Sequence, residues 1–327
     1  MSWWLFDRAI KKITVNCFMI KNITALFIVL FPLPAIAGNS IDTLPDAMDH
    51  MIPNERKIYF EKNGDSVFYN KPKTLDFITQ IPGNAVGYAK QSFRKENVCK
   101  VAMVAAATTL LIVFDQQITN GVQSFGARNN INGSEQFDPI VRIRLFGKET
   151  NIGKWPKNFN TAVYNIGQGS SVILMAAGFL ISGKINKDSR ALQTASQLGE
   201  AFLALGLGTQ IMKYSTGREN PSHASVPGGG WRPFPSFSSF QNNKPKYDAF
   251  PSGHLATFVS AITIISENYS SKKWIRPVGY TIAGLLSFAM INNGVHWAGD
   301  YPLGFALGYG YGKYISRKNK LHLKTGF

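Results

Sequence analysis

The stretch PSGHLATFVSAITIISENYS, residues 251–270, sets the frame for the whole chain. A proline, a serine, a glycine and a histidine stand directly before an apolar run rich in Ala, Ile and Val. Ser252 is placed as an N-cap, so the run opens a helix whose first amides have no intrahelical partner. Orphan N–H groups and the positive dipole end make such a terminus a natural anion site. Gly253 leaves the backbone open to close approach. One segment thus supplies both a core helix and a candidate site.

Outward from there, apolar runs of the same kind recur at about 99–114, 161–183, 191–212, 277–291 and 301–315. Ala, Leu, Gly and Met dominate them and β-alternation is weak. Together with 254–270 they predict an all-α protein built on a six-helix core bundle. Their uninterrupted apolar stretches are mostly about 12 to 15 residues long, short of the roughly 20 that cross a bilayer. Asn165, Gln168 and Ser170 interrupt the second run, and Glu200 the third. Three basic segments (184–190, 271–276 and the tail from Lys313) would fall on one side of a six-span arrangement. That arrangement conflicts with an exported N-terminus. The chain is read as an exported helical domain associated with an anionic membrane surface, with a multi-pass membrane protein as the alternative.

The N-terminus carries the export pattern. Lys11, Lys12 and Lys21 precede the apolar run Ala25 to Leu33, and Ala35-Ile36-Ala37 supplies a small-residue cleavage site. The expected segments are a signal peptide at 1–37 (possible start at Met19), an N-terminal arm at 38–96, a helical domain at 97–316 and a basic tail at 317–327. The localisation expected is periplasmic or envelope membrane-associated. The 327 residues include 45% hydrophobic and 17% charged, and carry a net charge of +16. Loss of residues 1–37 lowers that charge to +13. With 23 Phe, 12 Tyr and 6 Trp the chain can bury a core, which excludes wholesale disorder. Two cysteines, Cys17 and Cys99, exclude a disulfide framework or a cysteine-rich metal site. The charge favours anionic partners. Export and dispersed basic loops argue against nucleic acid.

Three polar segments stand at helix ends: Lys213 to Pro221, Pro251 to His254, and Gly294 to Asp300. Together they describe a phosphate site. Lys213 and Arg218 offer positive charge to phosphate oxygens. Ser252 and Gly253 offer amides at the helix start. His296 and Asp300, four apart, share one face of a helical turn. A carboxylate there holds one imidazole nitrogen protonated and leaves the other free to attack. His254 remains to protonate a leaving oxygen. The five histidines include no convincing metal cluster, so no metal or other cofactor is expected.

This constellation resembles the type 2 phosphatidic acid phosphatase superfamily, which also contains bacterial non-specific acid phosphatases and vanadium haloperoxidases. The family pattern is K-x6-R-P, then P-S-G-H, then S-R-x5-H-x3-D. Here P-S-G-H is complete at 251–254, H-x3-D is complete at 296–300, and the first block matches at Lys213 and Pro221. The resemblance covers roughly residues 97–316. It implies a metal-independent phosphatase acting on a phosphate monoester, with a lipid phosphate as the expected substrate, through a phosphohistidine on His296. Asn220 stands at the first family arginine, and Ala289-Met290 at the family's Ser-Arg. Arg218 is the candidate for the first lost role; the second has no obvious replacement, with Asn292, Asn293 and Arg232 as the residues that could reach in, and Asn220 is itself a possible site residue. The alternatives are a catalytically weak or degenerate member that binds anionic lipid at the envelope and, further off, a vanadate-dependent haloperoxidase. Oligomeric state is left open.

Overall fold

The computed structural model describes residues 59–60, 66–145 and 148–322, without the side chains of 60, 139–154 and 322. The expected signal peptide, most of the first half of the arm and the end of the tail lie outside them. Chain order runs β1 (Tyr59–Phe60), β2 (Ser66–Tyr69), α1 (Asp76–Thr79), α2 (Ile81–Ser92), α3 (Val98–Arg128), β3 (Phe137–Leu145), β4 (Lys148–Pro156), α4 (Phe159–Ile166), α5 (Gly169–Ile185), α6 (Ser189–Thr216), α7 (Phe237–Asn242), α8 (Gly253–Asn268), α9 (Ile275–Asn292), α10 (Tyr301–Lys318) and β5 (Lys320–His322). The chain is predominantly helical, and its sheets are small and antiparallel.

All six expected runs are helices. The second is broken: α4 and α5 meet at a bend of 57°. Gly167 at the break lies so close to α9 that a Cβ there would meet Leu286 Cδ1 at 2.4 Å. The first helix continues to Arg128, well past the apolar run. Its polar half finds partners: Gln116 accepts from the Gly228 amide at 3.0 Å, and Gln123 donates to the Ile291 carbonyl at 3.3 Å. The β3–β4 hairpin was not foreseen. Val141, Ile143 and Leu145 alternate with Arg142 and Arg144, a strand period outweighed by the helical pattern on either side.

The core joins α5, α6, α8 and α10 through Val172, Leu198, Leu205, Ile264, Tyr311 and Ile315. Helix α8 is the central element, buried along nearly its whole length. Part of the arm joins this bundle. Asn84 on α2 donates to buried Glu200 on α6 at 2.7 Å, and Tyr311 on α10 donates to the same carboxylate at 2.8 Å. Lys318 caps the set by donating to Asn84 at 2.6 Å. Glu200, which interrupts its apolar run, is tolerated because its Oε1 receives the Asn84 and Tyr311 donors in place of water.

Helix α10 meets α8 backbone to backbone along a stripe of glycines four apart. A Cβ at Gly304, Gly308 or Gly312 would meet the carbonyl of Ser252 at 2.6 Å, Ala256 at 2.2 Å or Ser260 at 2.9 Å. The contact cannot yield, because each obstacle is main chain. Gly308→Leu is therefore expected to lower stability by about 3 kcal/mol through overpacking, seen as a reduced melting temperature. An unchanged melting temperature would mean that the two helices are not in this contact.

Helix α3 is different. Among the described residues it is the one unbroken helix long and apolar enough to cross a membrane, with a mean hydropathy of 1.9 and only 11% of its window buried. Val101, Met103, Leu110, Val113 and Phe114 are exposed along it.

Candidate active site

The three polar segments converge at one end of the bundle. Lys213 lies in the last turn of α6. Gly217 then stops the helix in the left-handed region (φ 56°), and a Cβ there would meet the Arg232 carbonyl at 1.8 Å. Only glycine fits that turn. The following residues are gripped on two sides: Arg218 bridges to Trp231 and Asp248, and the Ala249 amide donates to its carbonyl at 3.0 Å. That grip turns the Arg218 side chain inward.

Ser252 caps α8, its Oγ accepting the Leu255 amide at 3.4 Å. Its own amide donates to the Asp300 carbonyl at 3.0 Å, which ties the second segment to the third. Gly253 faces the first segment, since a Cβ there would sit 3.9 Å from Lys213 Cε. The His254 and His296 rings stand 5.7 Å apart, edge to face. His296 Nδ1 is 3.3 Å from Asp300 Oδ2, which also accepts the Trp297 amide at 2.7 Å. His296 Nε2 and His254 Nδ1 are buried without a hydrogen-bond partner. Buried polar atoms are normally satisfied, so two such atoms in adjacent rings single out this pair of histidines as a candidate reactive centre.

Burial sets the charge states. Desolvation, helped by the Lys213 charge, pushes the His296 imidazole down to about 3. Desolvation with His296 and Lys213 nearby does the same to His254, also to about 3. Burial raises the Asp300 carboxyl to about 6, against the opposing pull of Arg218. Near neutral pH His296 therefore has a free lone pair and Asp300 is mostly ionised.

The remaining expected site residues are placed as follows. Arg218 is fully buried behind the dyad: Nη1 donates to Asp300 Oδ1 at 2.6 Å, and Nη2 donates to Asp115 Oδ2 at 2.5 Å and the Gly228 carbonyl at 2.9 Å. Trp231 and Trp297 cover its faces. Asn220 is buried with Oδ1 unpartnered, its amide held by the Pro245 carbonyl at 2.8 Å. Arg232 pairs with Glu219 and donates to Ser225 Oγ at 3.1 Å. Asn293 is engaged with Asn160 on α4. Met290, fully buried, lies with its sulfur 3.9 Å from Ser252 Oγ.

Sequence reasoning missed three neighbours. Tyr164 on α4 has its hydroxyl 3.5 Å from His254 Nε2. Asp248 lies 3.8 Å from Lys213 Nζ. Asp115 on α3 reaches both Arg218 and the Gly299 amide, the latter at 2.8 Å. Asp115 had left a signal: it is the only acid in α3 and follows an apolar run. Among the described residues no group of three or more His, Cys, Asp and Glu side chains could hold a metal ion.

Comparison with known proteins is informative over the same region. Residues 194–321 match the PAP2 superfamily model. A lipid A 1-phosphatase from Porphyromonas gingivalis is 29% identical over 156 residues, covering 46% of this chain and 29% of that protein. The match thus spans less than a third of that relative's length. No solved structure matches.

Proposed function

With residues 194–321 a PAP2-superfamily segment, we propose that the protein is a phosphatase that hydrolyses a lipid phosphate monoester, without metal, through a phosphohistidine on His296. The observation that carries this reading is the unpartnered His296 Nε2, held beside His254 with Nδ1 turned to Asp300. The resemblance to a lipid A 1-phosphatase supports a lipid as the substrate.

The phosphate would lie between Lys213 and the Gly253 amide at the start of α8, where charge and the helix terminus both favour a dianion; the Ser252 amide, a further phosphate donor expected from the sequence, is taken by the Asp300 carbonyl. The His296 Nε2 lone pair attacks phosphorus in line, forming the N–P bond as the ester P–O bond breaks. Asp300 keeps the Nδ1 proton in place and stabilises the imidazolium charge that develops. His254 delivers a proton to the departing alkoxide. A bound dianion acts against the desolvation that keeps His254 neutral, and so loads it with that proton. Water then attacks phosphorus and releases inorganic phosphate, His254 accepting its proton. The exposed apolar side of α3 is consistent with attachment to an envelope membrane, where a lipid substrate would be met.

The test is phosphate release from phosphatidic acid by carbonate-washed membranes carrying the full chain, with EDTA present. Sustained release is expected. Loss of release in EDTA, or its recovery in the carbonate wash, would overturn metal independence or membrane attachment respectively.

A second reading has its own observation. Met290 and Asn220 occupy positions where the family places guanidinium groups, and each missing donor costs about 10²–10³ in rate. A protein that binds phosphate lipids without turning them over fits that loss. Saturable binding of phosphatidic acid vesicles with no phosphate release would favour it.

A further inference from the structure

Helix α3 contributes an acid to the site that the proposed mechanism leaves unused. Asp115 is fully buried on a helix whose outer side is apolar and exposed. An unpaired aspartate there would be costly. It is instead completely engaged: Oδ2 accepts from Arg218 Nη2 at 2.5 Å and Oδ1 accepts from the Gly299 amide at 2.8 Å. Arg218 donates its other nitrogen to Asp300 at 2.6 Å. One guanidinium therefore bridges two carboxylates, and the outer one belongs to α3. The fit is close on the main-chain side as well. A Cβ at Gly299 would meet Ile112 Cγ1 at 2.7 Å and Asp115 Oδ2 at 2.8 Å, so α3 lies directly on the turn that carries Asp300.

We infer that Asp115 is a positioning residue that acts through Arg218: it fixes the guanidinium and the Gly299 turn, and thereby the orientation of Asp300 against His296. This assigns Arg218 to the support of the dyad, and it ties the apolar helix to the site. The inference rests on the phosphatase reading above.

The bridge has an electrostatic consequence. Asp300 faces Arg218 and Lys213 as cations, Asp115 as a second acid, and His296 and the Trp297 amide on its own turn. The Tyr301 hydroxyl turns away, donating to the Ser287 carbonyl at 2.8 Å. Two carboxylates sharing one cation raise each other's affinity for protons. Removing the Asp115 charge leaves Arg218 to Asp300 alone and makes Asp300 harder to protonate. Removing the Arg218 charge does the opposite.

The experiment is the pH–rate profile of phosphate release by the full chain in detergent, with short-chain phosphatidic acid. For Asp115→Asn, kcat is expected to fall about 10²-fold through misplacement of the dyad, with KM changed by less than about threefold because no substrate contact is lost. Its acid limb should move to lower pH. For Arg218→Gln the acid limb should move to higher pH. Arg218→Lys keeps the charge without the two-pronged bridge, so kcat should fall while the acid limb stays in place. That variant also tests the inference if Asp115→Asn does not fold. Wild-type kcat and an unmoved acid limb in Asp115→Asn, or wild-type kcat in Arg218→Lys, would overturn it. Full activity of His296→Ala would instead remove the assignment of His296 as nucleophile, the part of the phosphatase reading on which it rests.

Discussion

His296→Ala is expected to reduce phosphate release by about 10⁴-fold or more, with the fold intact. The size follows from the role. Without the imidazole, water must attack the ester directly, and the enzyme keeps only the electrostatic help of Lys213 and the α8 amides. The fold should survive because Nε2 makes no hydrogen bond to protein. Ring Nδ1 faces Asp300, and that carboxylate stays held by Arg218 and the Trp297 amide. A quenched-reaction test for acid-labile phosphate on the protein adds a second readout: wild-type chain should trap it and His296→Ala should not. Wild-type turnover by the variant would sink the assignment of the nucleophile.

Met290→Arg is expected to act in the opposite direction, raising kcat/KM by about 10²-fold. Met290 is fully buried beside Ser252, the residue that caps α8. A guanidinium there would add a fixed, two-pronged donor to the phosphate oxygens, the group found at this place in the family pattern that the sequence resembles. The gain has a cost in the absence of ligand. Burying an uncompensated cation destabilises by several kcal/mol, so the variant should melt lower than wild type and recover when inorganic phosphate is added. A variant that regains stability with phosphate but turns over no faster would show that the missing guanidinium does not limit the rate. It would then favour the binding role over catalysis.

The sequence was most legible where one chemical requirement fixed several residues at once. The P-S-G-H start of α8 announced a cap, a glycine approach and a helix together, and α8 is indeed the central helix of the bundle. The H-x3-D spacing placed His296 and Asp300 on one turn, and they are in contact. Reading failed where a contact joins residues far apart in the chain. Asp115 and Arg218 are 103 positions apart, and although Asp115 stands out as the one acid of α3, nothing local says which residue it pairs with. Arg218 illustrates the same limit. Its position after Lys213 suggested a phosphate ligand, while its partners are two carboxylates. The broken second helix was equally invisible, because the bend at Gly167 answers to a leucine on α9.

By itself, then, the sequence determined the helical plan, the set of candidate site residues and the absence of arginine at 220 and 290. Those follow from periodicity, caps and residue identity, which are properties of neighbours along the chain. Tertiary structure decided which charges meet. Helix α3, unremarkable in sequence beyond its apolar run, is brought against the Asp300 turn because Gly299 has no side chain to hold it off. In that dry contact a carboxylate from α3 claims Arg218, the arginine that sequence had offered first to the phosphate, since a buried charge must find its partner wherever the fold brings one within reach.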